Sequence, residues 1–210
     1  LAPQPMEREF PPDPALAAAR RRPLDLLYPR RLPVALVAFL PLVLAAVSGA
    51  YSFETELLGQ SASLLFALIL LHAGLFLFND LADLGRDRHA LVSHVHPAPS
   101  SRLARYHVTV RRALAACALT GTLGFLAAGL VSGWLAPIAL VLAHGAYTLF
   151  LQRNRWGGIV GLSLCHLARC WVGLGAFGLT FTPSIGGICL TLAVLLAVLG
   201  RSGLAGTDET

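Results

Sequence analysis

Six runs of almost purely apolar residues, at roughly 33–50, 61–78, 109–131, 134–151, 159–179 and 185–200, leave this chain few ways to fold. In lipid, a backbone satisfies its N–H and C=O groups only inside a helix or a closed barrel. Runs near the ~17–25 residues of a bilayer-crossing helix select the helix. Charged residues make up 13% of the chain, against about 25% in soluble domains, and hydrophobic residues reach 56%, which excludes an ordinary water-soluble domain. The sequence therefore predicts an all-α fold, a polytopic transmembrane helix bundle of about six spans. Polar or Gly/Pro breaks at Tyr51–Gln60, Asn79–Val108, Ser132–Gly133, Gln152–Gly158 and Thr180–Ser184 separate the runs. The shortest break predicts that the third and fourth runs form an antiparallel hairpin.

Arginine placement predicts the topology. All 16 basic residues are arginine. Arg8, Arg20, Arg21, Arg22, Arg30 and Arg31 precede the first run, and Arg86, Arg88, Arg102, Arg105, Arg111 and Arg112 flank the second connection. Arg153 and Arg155 follow the fourth run and Arg201 the sixth, while the alternate connections hold only Glu54 and Glu56 as charges. By the positive-inside rule both termini are cytoplasmic, in a chain of the cell inner membrane. Residues 1–32 read as a Pro/Arg-rich cytoplasmic arm, without the apolar core of a signal peptide, resting on anionic headgroups. Residues 33–200 read as the transmembrane domain, with a cytoplasmic Asp-rich loop at 79–108, and 201–210 as a short tail.

The chemistry concentrates where the second run ends, in Phe78-Asn79-Asp80-Leu81-Ala82-Asp83-Leu84-Gly85-Arg86-Asp87-Arg88. On a helix Asp80, Asp83 and Asp87 stand at i, i+3 and i+7 and share a face. Carboxylates crowded at a membrane boundary repel unless a cation joins them. A hard divalent ion such as Mg²⁺ prefers all-oxygen ligands and keeps phosphate oxygens as further ones. The competing reading is a solvated acidic helix end, against which stand the apolar lead-in and the surrounding arginines.

Other polar residues carry less. Arg169 falls near the centre of the fifth run, where a guanidinium costs at least ~2.5–3.5 kcal/mol, so it should face a cavity or a partner. The phosphate end of a substrate and an Asp of the acidic motif are the candidates, against a structural bond to helix carbonyls. His166, one turn earlier, shares its face; His72, and likewise His144 with Tyr147, read as interhelical hydrogen-bonding residues. Cys117, Cys165, Cys170 and Cys189 form no C-x-x-C pair and read as small buried hydrophobes. Gly121, Gly124, Gly129, Gly157, Gly158, Gly161, Gly173, Gly175 and Gly178 read as points of close helix approach, with Gly173 and Gly178 also leaving room for an apolar chain. The chain has no phosphate-binding loop, dinucleotide fingerprint or Ser-His-Asp arrangement, and nucleic acid is not an expected partner. A transporter is disfavoured because the acidic cluster lies at the interface and not at mid-membrane.

The segment Leu71–Arg88 resembles the first Asp-rich motif, N-D-x-x-D-x-x-x-D, of the UbiA-type intramembrane prenyltransferases. His96-Pro97-Ala98-Pro99-Ser100-Ser101-Arg102 is similar to the family's H-P-x-K-x-x-R-P segment, and Ala146–Arg153 to the end of its fourth helix. Gly161-Leu162-Ser163, Arg169 and Val172-Gly173 are similar to its fifth helix, especially in the polyprenyl-phosphate phosphoribosyltransferase branch. The likeness covers about residues 30–200. It implies Mg²⁺-dependent transfer of a prenyl group from a polyprenyl diphosphate to an aromatic or other lipophilic acceptor. Asp80, Asp83 and Asp87 would be the catalytic metal ligands, and Asn79, Arg88, Arg102 and Arg169 substrate-binding residues. Membrane anchoring is the competing reading of Arg88 and Arg102. Two alternatives stay open: phosphoribosyl transfer to a polyprenyl phosphate, and a non-catalytic membrane homologue or subunit. The chain departs from the family where Pro99 stands for Lys and Leu103 for Pro, and where Gly200–Thr210 lacks the second Asp-rich motif. The expectation is therefore a fragment, a member whose site a second chain completes, or a decayed homologue.

Overall fold

The structure, a computed structural model, describes residues 29–47, 56–93, 109–180 and 182–205, with side chains over 34–47, 57–84, 109–180 and 182–199. Every element among them is helical. A 3-10 stretch, Pro29–Phe39, leads into α1, Leu40–Val47. Then come α2 (Glu56–Ser93), α3 (Val110–Ser132), α4 (Leu135–Leu149), a 3-10 turn (Leu151–Arg153), α5 (Arg155–Ala176) and α6 (Pro183–Ala205).

Three of these are long and apolar enough to cross a membrane: Leu57–Leu84 within α2, all of α3 and all of α5. The other apolar helices, Val34–Val47, Leu135–Leu149 and Pro183–Leu199, have only 10–17 residues. The six runs thus give three full-length candidate spans and three shorter apolar helices. Breaks at Trp134 and Phe150 account for the shorter length of α4, while α6 continues helically past Leu199 to Ala205.

Two helices form the centre. In the most apolar window, 56% of α2 and 61% of α5 is buried within the protein, but only 17% of α3, so α3 is the least buried of the three. Leu64, Ala67, Leu68, Leu71 and Leu75 of α2 recur at helical spacing and meet Ala168, Val172 and Ala176 of α5 in one core, which Ala35, Ala38 and Leu42 also enter. The chief partner of α3 is α2, and α4 packs on α5, as does α6. The α2–α3 contact depends on missing side chains. A Cβ on Gly74 would lie 2.5 Å from the Gly121 Cα, and one on Gly124 would lie 2.1 Å from the Leu71 nitrogen. Backbones this close are the usual work of small residues where lipid supplies no hydrophobic drive between helices.

Two expectations change. The connection assigned to 79–108 begins later, because α2 runs unbroken from the apolar run through the acidic motif to Ser93. Leu77 and Leu84 continue the buried stripe against Ala113 of α3, and no proline interrupts it. Nor does Gly173 leave room for an apolar chain: a Cβ there would collide with the Ala38 carbonyl, which fills the space. Gly178 has another role, at φ 62° just beyond α5. Leu179 N–H donates to the Leu174 carbonyl at 2.9 Å and Gly178 N–H to Gly175 at 3.3 Å, closing α5 with a left-handed C-terminal cap.

Candidate functional site

The long α2 carries Asn79, Asp80 and Asp83 to one end of the bundle, and there the end of α4 meets them. Asp80 is 3% exposed and Asp83 9%, so neither is a solvated helix-end carboxylate. Thr148 at the end of α4 and Gln152 in the 3-10 turn after it reach across. The Thr148 hydroxyl donates to Asn79 Oδ1 at 3.1 Å. Gln152 Nε2 donates to both oxygens of Asp83, at 3.2 and 3.4 Å, and to the Thr148 carbonyl at 2.7 Å. Asn79 Nδ2 adds a longer bond to Asp83 Oδ2 at 3.4 Å.

This network has a directional consequence. Gln152 and Asn79 amide hydrogens hold the Asp83 carboxylate in one orientation, while Thr148 turns the oxygen of Asn79 and so fixes the Asn79 amide. Among the described residues no group of three or more His, Cys, Asp or Glu side chains converges as a metal site. The backbone of Asp87 and Arg88 is helical within α2, but their side chains, and all of Arg102, lie outside the described residues. The two carboxylates and the Asn79 oxygen are hard donors, which fits a Mg²⁺-like ion by chemistry.

Arg169 is placed elsewhere. It is 2% exposed and points from α5 to α2, where its Nε donates to His72 Nε2 at 2.7 Å. Its Nη1 donates to His166 Nδ1 at 3.3 Å. His72 lies eight residues before Asp80, so this cluster sits about 12 Å deeper along α2. Among the described residues, then, the structure joins Arg169 to two histidines and not to the acidic motif. His144 packs edge-on to Phe76, with ring centroids 5.9 Å apart, and its Nδ1 lies 3.9 Å from the Cys165 thiol.

The partners that sequence reasoning missed are Thr148 and Gln152. Their signal was a pair of polar residues four apart where an apolar run ends, which spacing alone could not aim at α2. On its far side α5 borders an apolar groove of about 510 Å³, lined by residues that include Ala139 and Ala143 of α4 with Leu164, Leu167 and Trp171 of α5. No protein-family model matches the chain, and no curated protein matches it.

Proposed function

We propose that this protein is an intramembrane prenyltransferase of the UbiA type, a six-span helix bundle of the inner membrane with both termini cytoplasmic. The observation that carries the reading is the pair of buried carboxylates, Asp80 and Asp83, with Asp83 oriented by amides at the end of an apolar helix. Burying such carboxylates costs too much unless a cation or hydrogen bonds repay it. The topology has independent support. The Gln152–Asp83 bonds bring the α4–α5 turn, with exposed Arg153 and Arg155, to the acidic end of the bundle. At the other end Ser132, closing α3, abuts Gly175 near the end of α5. The α4–α5 connection with its arginines and the arginine-free α3–α4 connection thus lie at opposite ends, as the positive-inside pattern asks.

In this reading Asp80, Asp83 and Asp87 hold Mg²⁺, which supplies charge neutralisation for a departing diphosphate. The chain's own residues do the rest. Asn79 and Gln152 keep the Asp83 oxygens aimed while substrate exchanges, and Arg88 and Arg102 donate charge-assisted hydrogen bonds to phosphate oxygens. The apolar groove between α4 and α5 receives the prenyl tail, its alanines leaving width for a chain. The acceptor is an aromatic or other lipophilic molecule reaching the same end from the membrane.

The test is binding of a non-cleavable prenyl thiolodiphosphate to the full chain in nanodiscs, with and without Mg²⁺. Wild type should bind only with the metal, and Asp80→Asn and Asp83→Asn should each lose that dependence. Equal binding by wild type and both variants, or binding indifferent to Mg²⁺, refutes the proposal. Refutation would leave the reading of a non-catalytic membrane subunit.

A further inference from the structure

The turn between α4 and α5 sorts its side chains into held and exposed ones. Gln152 is held by Asp83 and the Thr148 carbonyl. Asn154 caps α5, its side-chain oxygen accepting from the Gly157 N–H, and the Gly158 N–H donates to the Asn154 carbonyl at 2.9 Å. These bonds fix the backbone around Arg153 and Arg155. Both guanidiniums are exposed, and neither meets a carboxylate among the described residues.

Their neighbours do not suit a loop in water. Phe150 is 70% exposed and Trp156 75%. Val160 and Leu164, also exposed, follow Trp156 at four-residue steps, so an apolar stripe runs down α5 from the arginines. Tryptophan at the rim of a membrane helix sits at headgroup level, which sets Arg153 and Arg155 at the depth of lipid phosphates. Arg111 and Arg112, exposed where α3 begins, add positive charge at the same end, since Ala113 packs with Leu84 of α2. The carboxylates described there, Asp80 and Asp83, are buried.

We propose that the α4–α5 turn binds an anionic phospholipid, its phosphate on Arg153 and Arg155 and an acyl chain along Trp156, Val160 and Leu164. Two guanidiniums without a protein counter-charge favour a lipid of net negative charge over a zwitterionic one, whose own cation competes. A soluble anion would leave the stripe unused. The site is separate from prenyl transfer and needs no metal. The other end of α4 supplies a comparison: Trp134 is 47% exposed there, in a connection without arginine.

The test is fluorescence quenching of the full chain in phosphatidylcholine nanodiscs by lipids brominated near the headgroup end of one acyl chain. Leu164 also borders the α4–α5 groove, so no prenyl ligand is added. One variant keeps Trp156 alone (Trp134→Phe, Trp171→Phe) and another keeps Trp134 alone (Trp156→Phe, Trp171→Phe). Brominated phosphatidylglycerol should associate at Trp156 roughly fivefold to twentyfold more strongly than brominated phosphatidylcholine, since one arginine near the surface contributes about fivefold. At Trp134 the preference should stay below about twofold, and adding Arg153→Gln with Arg155→Gln should bring Trp156 down to the same level. Millimolar inorganic phosphate should leave the preference unchanged. Should a single-tryptophan variant fail to fold, Trp156→Phe in the otherwise unchanged chain gives the Trp156 signal by difference. Equal quenching by the two lipids at Trp156, an equal preference at Trp134, or an undiminished preference without the two arginines overturns the proposal. Loss of the preference in phosphate also overturns it, in favour of a site for a soluble anion.

Discussion

Substituting Gly124→Ala adds one methyl group at the closest approach of α2 and α3. Its Cβ would lie 2.1 Å from the Leu71 nitrogen and 2.5 Å from its Cα, atoms of backbone that no rotamer change can move. Restoring a 3.4 Å contact means parting the helices there by about 1.3 Å. Overpacking of this kind costs roughly 1–3 kcal/mol. Alanine is also the better helix former, returning about 0.8–1.0 kcal/mol. The comparison that isolates packing is Gly145→Ala on α4, where a Cβ meets nothing within 4 Å. Gly145→Ala should leave stability unchanged or raised, and Gly124→Ala should fall below it by roughly 1–3 kcal/mol. The assay is unfolding in mixed micelles with increasing dodecyl sulfate, followed by far-ultraviolet circular dichroism, with hydrogen exchange along α2 as a local readout. Equal stability of the two variants, with unchanged exchange near Leu71, would refute the close α2–α3 packing.

Other consequences follow at the site and at the helix ends. Gln152→Leu removes the amide that spans both Asp83 oxygens, and should weaken Mg²⁺-dependent thiolodiphosphate binding by about 1–3 kcal/mol, read by titration in nanodiscs. Ala143→Trp fills the groove and should lower affinity for a long-chain thiolodiphosphate more than for a short-chain one, measured by competition. Gly178→Ala forces a Cβ into the left-handed φ of 62° and should cost about 1–2 kcal/mol of stability with no change in diphosphate affinity.

Much of the frame was legible because lipid as solvent leaves a chain so few options. The stripe Leu64, Ala67, Leu68, Leu71, Leu75 could be read as one helix face, and the same helical spacing puts Asp80 and Asp83 on α2 beside one another. The extent of α2 was misjudged, since polarity at Asn79 looked like a boundary. A change from apolar to polar marks where lipid ends, not where helical hydrogen bonds end, and only a proline or an unsatisfied cap would have stopped the helix there. Span length was also overread in α4, where the run 134–151 was counted across Trp134 and Phe150, which flank the helix Leu135–Leu149.

Residue types and their order settled that the described chain is helical, that its carboxylates gather where the apolar run ends, and that a guanidinium is committed to the apolar interior. Pairing across helices was decided by tertiary structure alone. Thr148 and Gln152 lie 69 residues from their partners Asn79 and Asp83, and Arg169 lies 97 from His72. Helical periodicity tells which way a side chain leaves its own axis but carries no information about which neighbour stands there. That depends on how closely the backbones approach, and here the glycines at 74, 121 and 124 set the approach of α2 and α3.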